Sequence, residues 1–117
     1  MMWQVETTDV FDDWYDSLND TDRESVLAAL ILLREKGPLL PRPHADTVKD
    51  SCHTNMKELR VQSKGDPIRA FFAFDPLRRG ILLCAGNKTG NAKRFYKQMI
   101  PIADKLFTEH LEKLKER

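Results

Sequence analysis

Residues 57–87 read KELRVQSKGDPIRAFFAFDPLRRGILLCAGN, and this stretch decides the fold. Leu59 and Val61 alternate with polar residues, and continuous apolar runs follow at 68–74 and 81–85, which is typical of three β-strands. The links between these strands are short and rich in Gly, Asp and Pro, which favours antiparallel neighbours. The stretch therefore predicts an antiparallel meander.

The residues before the meander predict a short strand and two helices. Trp3 to Glu6 alternates like a strand, and the residues that follow offer N-caps at Thr7, Thr8 and Asp9. One helix is marked by a stripe of apolar residues at steps of three and four: Phe11, Trp14, Tyr15 and Leu18. A second helix, capped by Asp20 or Thr21, continues to the stop signal Gly37-Pro38, so the two form a helical hairpin.

The remaining segments predict a long loop and a terminal helix. Leu39 to Asp50 is rich in proline and is expected to be an extended connection without regular structure. Apolar residues recur at helical intervals from Phe95 to the end, and Pro101 predicts a kink or break near Met99. The element order is β-α-α-β-β-β-α, so we expect an α+β fold in which residues 1–117 form one domain.

Charge is divided along the chain. Residues 1–50 carry five cations against eleven acids, a net of −6, whereas residues 57–97 carry ten cations against three acids, a net of +7. A protein with one strongly cationic half can present a face to a polyanion. Nucleic acid is therefore the first partner to consider.

Several other classes of protein are not indicated. No basic segment followed by an apolar stretch marks a secretory signal, and the longest apolar run has eight residues, against about 20 needed to span a bilayer. Cys52, Cys84, His44 and His53 show no ligand spacing, so neither a metal nor another cofactor is expected. We expect a cytoplasmic protein that does not bind membranes.

The cations of the basic half suggest one functional surface. Arg60 and Arg69 lie on neighbouring predicted strands, Lys88 ends the third strand, and further basic residues with Tyr96 begin the terminal helix. Together they would give RNA phosphate contacts and a stacking aromatic ring. The strand register, which decides whether the two arginines share a face, is not fixed by the sequence. The alternative is an ordinary solvated charged surface.

Three segments resemble a known family. They are 57–61 (KELRV), 68–76 (IRAFFAFDP) and 81–90 (ILLCAGNKTG), and the similarity extends to Phe95-Tyr96, Ile100 to Asp104, Gly37-Pro38 and Arg42-Pro43. Together they resemble the HigB-like branch of the RelE/ParE toxin superfamily. The family's fold, an antiparallel sheet flanked by N-terminal helices, agrees with the predicted order.

The resemblance implies the toxin of a type II toxin-antitoxin pair that cuts messenger RNA on the ribosome and stops translation. Its partners would be a helix-turn-helix antitoxin, with which it forms a hetero-oligomer, and the ribosome with its mRNA. The implied catalytic residues are Arg60, Arg69, Lys88, Arg94 and Tyr96, and the implied RNA-binding residues are Lys57, Lys64, Lys93 and Lys97. Some HigB relatives use a histidine near the C-terminus, whereas here His110 lies far down the terminal helix.

Metal-free RNA cleavage by the ribose 2′-hydroxyl needs a base, a charge stabiliser for the transition state and a proton donor for the 5′ oxygen. Arg60 and Arg69 suit the second role, because a guanidinium stays charged and matches phosphate geometry. Lys88 or Lys57 is a candidate base or acid, and Tyr96 a candidate for stacking or proton donation. A ParE-like inhibitor of DNA gyrase, and a relative that only binds RNA, are the alternative functions.

Overall fold

The computed structural model describes residues 2–116 and contains one mixed sheet with helices on both faces. Its elements are β1 (Val5–Thr7), α1 (Asp9–Asp16), α2 (Asp20–Lys36), a 3-10 turn (Gly37–Leu39), β2 (Ala45–Thr47), β3 (Lys57–Ser63), β4 (Asp66–Phe74), β5 (Gly80–Asn87) and α3 (Ala92–Lys115). The strands lie in the order β1-β5-β4-β3-β2. The predicted α+β class, helical hairpin and three-stranded meander are confirmed.

The two faces of the sheet bury different apolar clusters. On one face, side chains such as Leu59, Ala70 and Leu82 pack with Phe11, Val26 and other residues of the helical hairpin. On the other face, side chains such as Phe71 and Leu83 pack with Ile100, Ala103 and Phe107 of α3. Because side chains alternate across a strand, β4 and β5 contribute to both clusters, whereas β3 contributes Leu59 and Val61 to the cluster under the hairpin. This explains why β4 and β5 read as continuous apolar runs rather than alternating ones.

The helical hairpin begins and ends with local signals. The Thr8 hydroxyl accepts a hydrogen bond from the Phe11 backbone N–H, so the predicted cap of α1 is confirmed. The cap of α2 is Asn19 rather than the predicted Asp20 or Thr21, since the Asn19 side chain accepts from the Asp22 N–H. Gly37 ends α2 with a positive φ of 59°, as the Gly-Pro signal predicts.

Three details differ from the sequence-based expectation. β1 lies at Val5–Thr7 rather than at 3–6, because Trp3 hydrogen-bonds to Arg34 and packs on Phe74 instead of joining the sheet. The strand runs parallel to β5. The predicted loop 39–50 contains a short strand, β2, which begins after the last proline of the segment, Pro43, and pairs with β3. Of the predicted kink or break near Met99, the break is wrong: α3 is continuous through Pro101, and its buried stripe packs on the sheet along its length.

Among residues 2–116, no helix combines the length and apolar character that a membrane crossing requires.

Two glycines allow a test of how the hairpin docks. A Cβ on Gly37 would lie 2.4 Å from the Trp3 indole, whereas one on Gly65, also at positive φ, would meet nothing within 4 Å. We expect Gly65→Ala to lower the free energy of unfolding by about 1 kcal/mol through backbone strain alone. Gly37→Ala should lower it by about 3 kcal/mol, because overpacking adds to the strain. Urea denaturation measures both, and equal losses would show that the Trp3 contact does not matter.

Candidate functional site

The strand register brings the two sheet arginines together. Arg60 of β3 pairs with Arg69 of β4, and Arg69 pairs in turn with Gly86 of β5. Residues paired across antiparallel strands share a face, so both guanidinium groups lie on the α3 side of the sheet. A Cβ on Gly86 would lie 3.0 Å from the Phe95 ring. The missing side chain therefore lets the first turns of α3 approach the arginines.

A buried carboxylate lies at the centre of this region. Glu58 precedes Arg60 by two residues on β3, so the two side chains share a face, and the Glu58 side chain is only 6% exposed. The Tyr96 hydroxyl of α3 donates to Glu58 Oε1 at 2.7 Å, and Arg60 Nε donates to Glu58 Oε2 at 3.2 Å. We refer to Glu58, Arg60 and Tyr96 as the central triad.

The central triad lines a cavity of about 650 Å³ between the sheet, the 42–50 segment and the start of α3. This volume is within the usual range for small-molecule sites. Val48, Ile100 and Pro101 supply apolar surface. The other lining residues outside the triad are mostly charged: Arg42, Asp46, Thr47, Lys49, Asp50, Lys93 and Lys97. The cavity thus combines cations, acids and an apolar wall within reach of one another.

The acids in the cavity hold its arginines in place. Asp46 Oδ2 accepts from Arg42 Nη2 at 2.7 Å and from Arg60 Nη2 at 3.1 Å. The hydrogen bond from Arg42 is the main cause that lowers the pKa of Asp46, with the Thr47 backbone N–H and the charges of both arginines adding to it. Asp46 is therefore ionised at neutral pH.

Tyr96 keeps its proton at neutral pH. Burial and, to a lesser extent, the neighbouring Glu58 carboxylate raise the pKa of its hydroxyl, the Arg69 guanidinium opposes both, and the result is a pKa of about 12. A neutral phenol donating to a carboxylate is therefore the stable arrangement of this pair.

Arg69 is a buried arginine. It is 9% exposed, and its Nη1 donates to the backbone carbonyl of Ile68 at 3.0 Å. Among residues 2–116, no group accepts a hydrogen bond from its Nε. A buried guanidinium with a free donor is costly unless an anion or water completes its shell. Arg69 therefore supplies positive charge beneath Tyr96, although it does not line the cavity.

The other predicted catalytic residues lie around the start of α3. The Lys88 ammonium is 5.7 Å from the centre of the Tyr96 ring, in a cation–π contact. Arg94 is exposed in the first turn of α3, where its backbone N–H donates to the Asn91 side chain, and it does not line the cavity. Their roles in catalysis stay predictions.

The four predicted RNA-binding lysines are divided. Lys93 and Lys97 lie one turn apart on α3 and both line the cavity. Lys64 lies in the β3–β4 turn, outside the cavity lining. Lys57 is on the hairpin side of the sheet, where its Nζ donates to the Pro38 carbonyl at 3.2 Å. Lys57 therefore faces away from the central triad.

His110 lies apart from the cavity. Its Nε2 is 2.8 Å from Asp75 Oδ2, a buried carboxylate that also binds Arg79 near the β4–β5 turn. The described part of the chain, 2–116, contains no group of three or more His, Cys, Asp or Glu side chains placed to hold a metal ion.

The sequence interpretation missed Glu58, Asp46 and Arg42. The available signal for Glu58 was its position two residues before a candidate arginine on the same predicted strand, which places both side chains on one face. Asp46 and Arg42 lie in a segment expected to be irregular, so no periodicity indicated where they would point.

Comparison with known proteins identifies the family of the chain. The model of the phage-derived Gp49-like family matches residues 13–108. The chain belongs to this family. It is also 48% identical over 99 residues to a Mycobacterium tuberculosis protein named "Putative toxin HigB2", covering 84% of this chain and 49% of that protein. A second M. tuberculosis protein, "Putative toxin HigB3", is 52% identical over 91 residues, with 78% of each chain covered.

Solved structures with the same fold are more distant in sequence. A mutant of the Escherichia coli toxin RelE in the free state matches with a TM-score of 0.59 and 11% identity, covering 83% of this chain and 93% of that one. RelE of the Pyrococcus horikoshii RelE-RelB complex matches with a TM-score of 0.55 and 19% identity, covering 76% and 98%. The predicted resemblance to HigB-like toxins is confirmed by the two M. tuberculosis relatives, and the structural matches show a RelE-like fold. The chain spans about half the length of HigB2.

The raised pKa of Tyr96 predicts how stability depends on pH. In the unfolded chain a tyrosine loses its proton near pH 10, whereas the folded protein holds the Tyr96 proton to about pH 12. Between these values the folded state binds more protons, so the contribution of Tyr96 to the free energy of unfolding falls as pH rises. We expect the stability difference between wild type and Tyr96→Phe to shrink steadily from pH 10 to 12. Urea denaturation at several pH values measures it, and a constant difference would contradict the assignment.

Proposed function

We propose that the chain is the toxin of a type II toxin-antitoxin pair and acts as a ribosome-dependent mRNA endoribonuclease. The observation that carries the proposal is the central triad: a buried carboxylate, a guanidinium and a protonated phenol meet at one cavity. The names of the M. tuberculosis relatives and the RelE fold support it. Every reacting group that the chemistry requires comes from the chain itself, so no cofactor is invoked.

Glu58 is the proposed general base. Its carboxylate lies in the cavity wall and is held by two donors, so it is positioned rather than mobile. In the proposed step Glu58 takes the proton of the ribose 2′-hydroxyl while that oxygen forms a bond to the adjacent phosphorus. The phosphorus–5′ oxygen bond then breaks, and a 2′,3′-cyclic phosphate remains.

Tyr96 and Arg60 supply the two other functions. Tyr96 gives its proton to the departing 5′ oxygen, and the proton on Glu58 returns to Tyr96 along their 2.7 Å hydrogen bond, which restores both groups. Arg60 stabilises the extra negative charge on the phosphorane-like transition state. Arg69, Lys88 and Arg94 add positive potential around Tyr96 and the start of α3, and Lys93 and Lys97 bind flanking phosphates.

The proposed partners follow from the family. We propose a small helix-turn-helix antitoxin, with which the toxin forms a hetero-oligomer, and the translating ribosome with its message in the cytoplasm. A RelE-RelB complex among the structural neighbours supports an antitoxin partner. Inhibition of DNA gyrase remains the second candidate on fold alone. A gyrase inhibitor has no need for a carboxylate, a phenol and a guanidinium converging on one cavity, so the triad favours cleavage.

Variants of the triad test the nuclease. Glu58→Gln removes the base and Arg60→Ala removes the transition-state charge, so each should lower message cleavage by roughly 10²- to 10³-fold. Arg69→Ala should lower it by about 10²-fold through lost positive potential. Primer extension on ribosome-bound message in a reconstituted translation system measures the cuts. Glu24→Gln and Arg34→Ala, at exposed positions of α2, are matched controls that should cleave like wild type.

Substrate chemistry gives an independent test of the same proposal. A message with a single 2′-deoxyribose on the 5′ side of the cut should resist cleavage there, because the nucleophile is missing. Normal cutting of that message would reject attack by the 2′-hydroxyl. Translation arrest without any cut message, together with loss of gyrase supercoiling activity, would instead establish the second candidate.

A further inference from the structure

The pair of arginines at the cavity rim already holds an anion. Arg42 Nη2 and Arg60 Nη2 donate to the same oxygen, Asp46 Oδ2, at 2.7 and 3.1 Å. The two guanidinium groups come from different elements, the segment before β2 and the middle of β3, and converge on that one atom. The position of Asp46 Oδ2 is therefore a built anion site with two charge-assisted donors.

This site is distinct from the Glu58 contact. Arg60 uses its Nε toward Glu58 and its Nη2 toward Asp46, so one guanidinium serves two oxygens at the same time. Arg42 contacts Asp46 Oδ2 and not Glu58, and its side chain is 73% exposed at the cavity rim. Arg60 thus links the two positions, because its Nε faces Glu58 while its Nη2 faces the oxygen that Arg42 contacts.

Asp46 can be displaced more readily than Glu58. Its side chain is 22% exposed, against 6% for Glu58, and it belongs to a three-residue strand at the edge of the sheet. A carboxylate that moves into water loses little, because water solvates it, whereas a carboxylate beneath Tyr96 has no such route. The Asp46 charge thus screens the arginines only while no better anion is present.

We propose that Arg42 and Arg60 form a second phosphate subsite for single-stranded RNA, one nucleotide from the cleaved linkage, which the Asp46 carboxylate fills in the free protein. The proposal rests on the proposed function, because it assumes that the central triad receives the cleaved linkage. In the complex a non-bridging phosphate oxygen takes the place of Asp46 Oδ2, and Asp46 turns to solvent. Asp46 accordingly competes with the second phosphate of the ligand for the two arginines.

The test counts phosphates with ligands that cannot be cut. A 2′-deoxy dinucleotide has one phosphodiester and a 2′-deoxy trinucleotide has two, and both are titrated into the ¹⁵N-labelled protein by NMR at low salt. Arg42→Ala should lower trinucleotide affinity roughly tenfold and leave dinucleotide affinity nearly unchanged. Asp46→Asn should raise trinucleotide affinity roughly tenfold, because the screening charge is gone. Arg42→Lys should restore part of the loss.

Matched controls separate the subsite from general electrostatics. Asp50→Asn removes the same charge from the same cavity without touching the arginine pair, and Arg34→Ala removes a cation from α2. Both controls should change each affinity by less than twofold from wild type, in contrast to the roughly tenfold effects of Asp46→Asn and Arg42→Ala on the trinucleotide. Thermal unfolding of each variant confirms that it is folded.

The outcomes are decisive in either direction. Equal effects of Arg42→Ala on both ligands, or weaker trinucleotide binding in Asp46→Asn, would overturn the subsite, and the second result would mean that Asp46 only orients Arg60. Because neither ligand can be cleaved, the result does not depend on nuclease activity. If triad variants leave message cleavage intact while the phosphate count holds, the proposed mechanism fails; Arg42 and Arg60 then still form a phosphate subsite, but its position relative to the cleaved linkage is lost.

Discussion

The pairing of Arg60 with Arg69 across β3 and β4 is the constraint on which the rest of the molecule depends. A slip of one residue would move Leu59 and Val61 to the α3 face and turn Glu58 and Arg60 into the core beneath the hairpin. Apolar packing opposes that slip, because Leu59 and Val61 of β3 are buried in the cluster under the hairpin and β4 supplies side chains to the clusters on both faces. The core therefore sets the position of the charged groups.

Placing two guanidinium groups side by side on one sheet face creates repulsion that the structure offsets locally. Glu58 and Asp46 each accept from Arg60, and Tyr96 donates to Glu58 from α3. The net charge of the basic half alone suggests a purely cationic surface, but acids are paired with its arginines. One of these acids, Asp46, belongs to the acidic N-terminal half of the chain and is placed at the cavity by β2.

The sequence predicted the elements better than the site. Periodicity located the hairpin and the meander because burial repeats along each element, and Thr8 and Gly37 marked boundaries through local backbone chemistry. Register, by contrast, depends on contacts between distant segments, so the face of Lys57 could not be read from its neighbours. Glu58 was overlooked for the same reason: its hydrogen-bond partner Tyr96 lies on a helix 38 residues further along the chain.

Burial divides the two cavity carboxylates into different physical roles. Glu58 lies inside β3 and is shielded by Tyr96, so its carboxylate is held by buried contacts. Asp46 lies on the edge strand and shares its oxygen with an exposed arginine, so an anion of equal charge can replace it without uncovering a buried group. A fixed carboxylate suits a base that must keep its geometry during a reaction, and a replaceable one suits a site that is filled only by the correct ligand. The proposed division of labour thus follows from how deeply each acid is held.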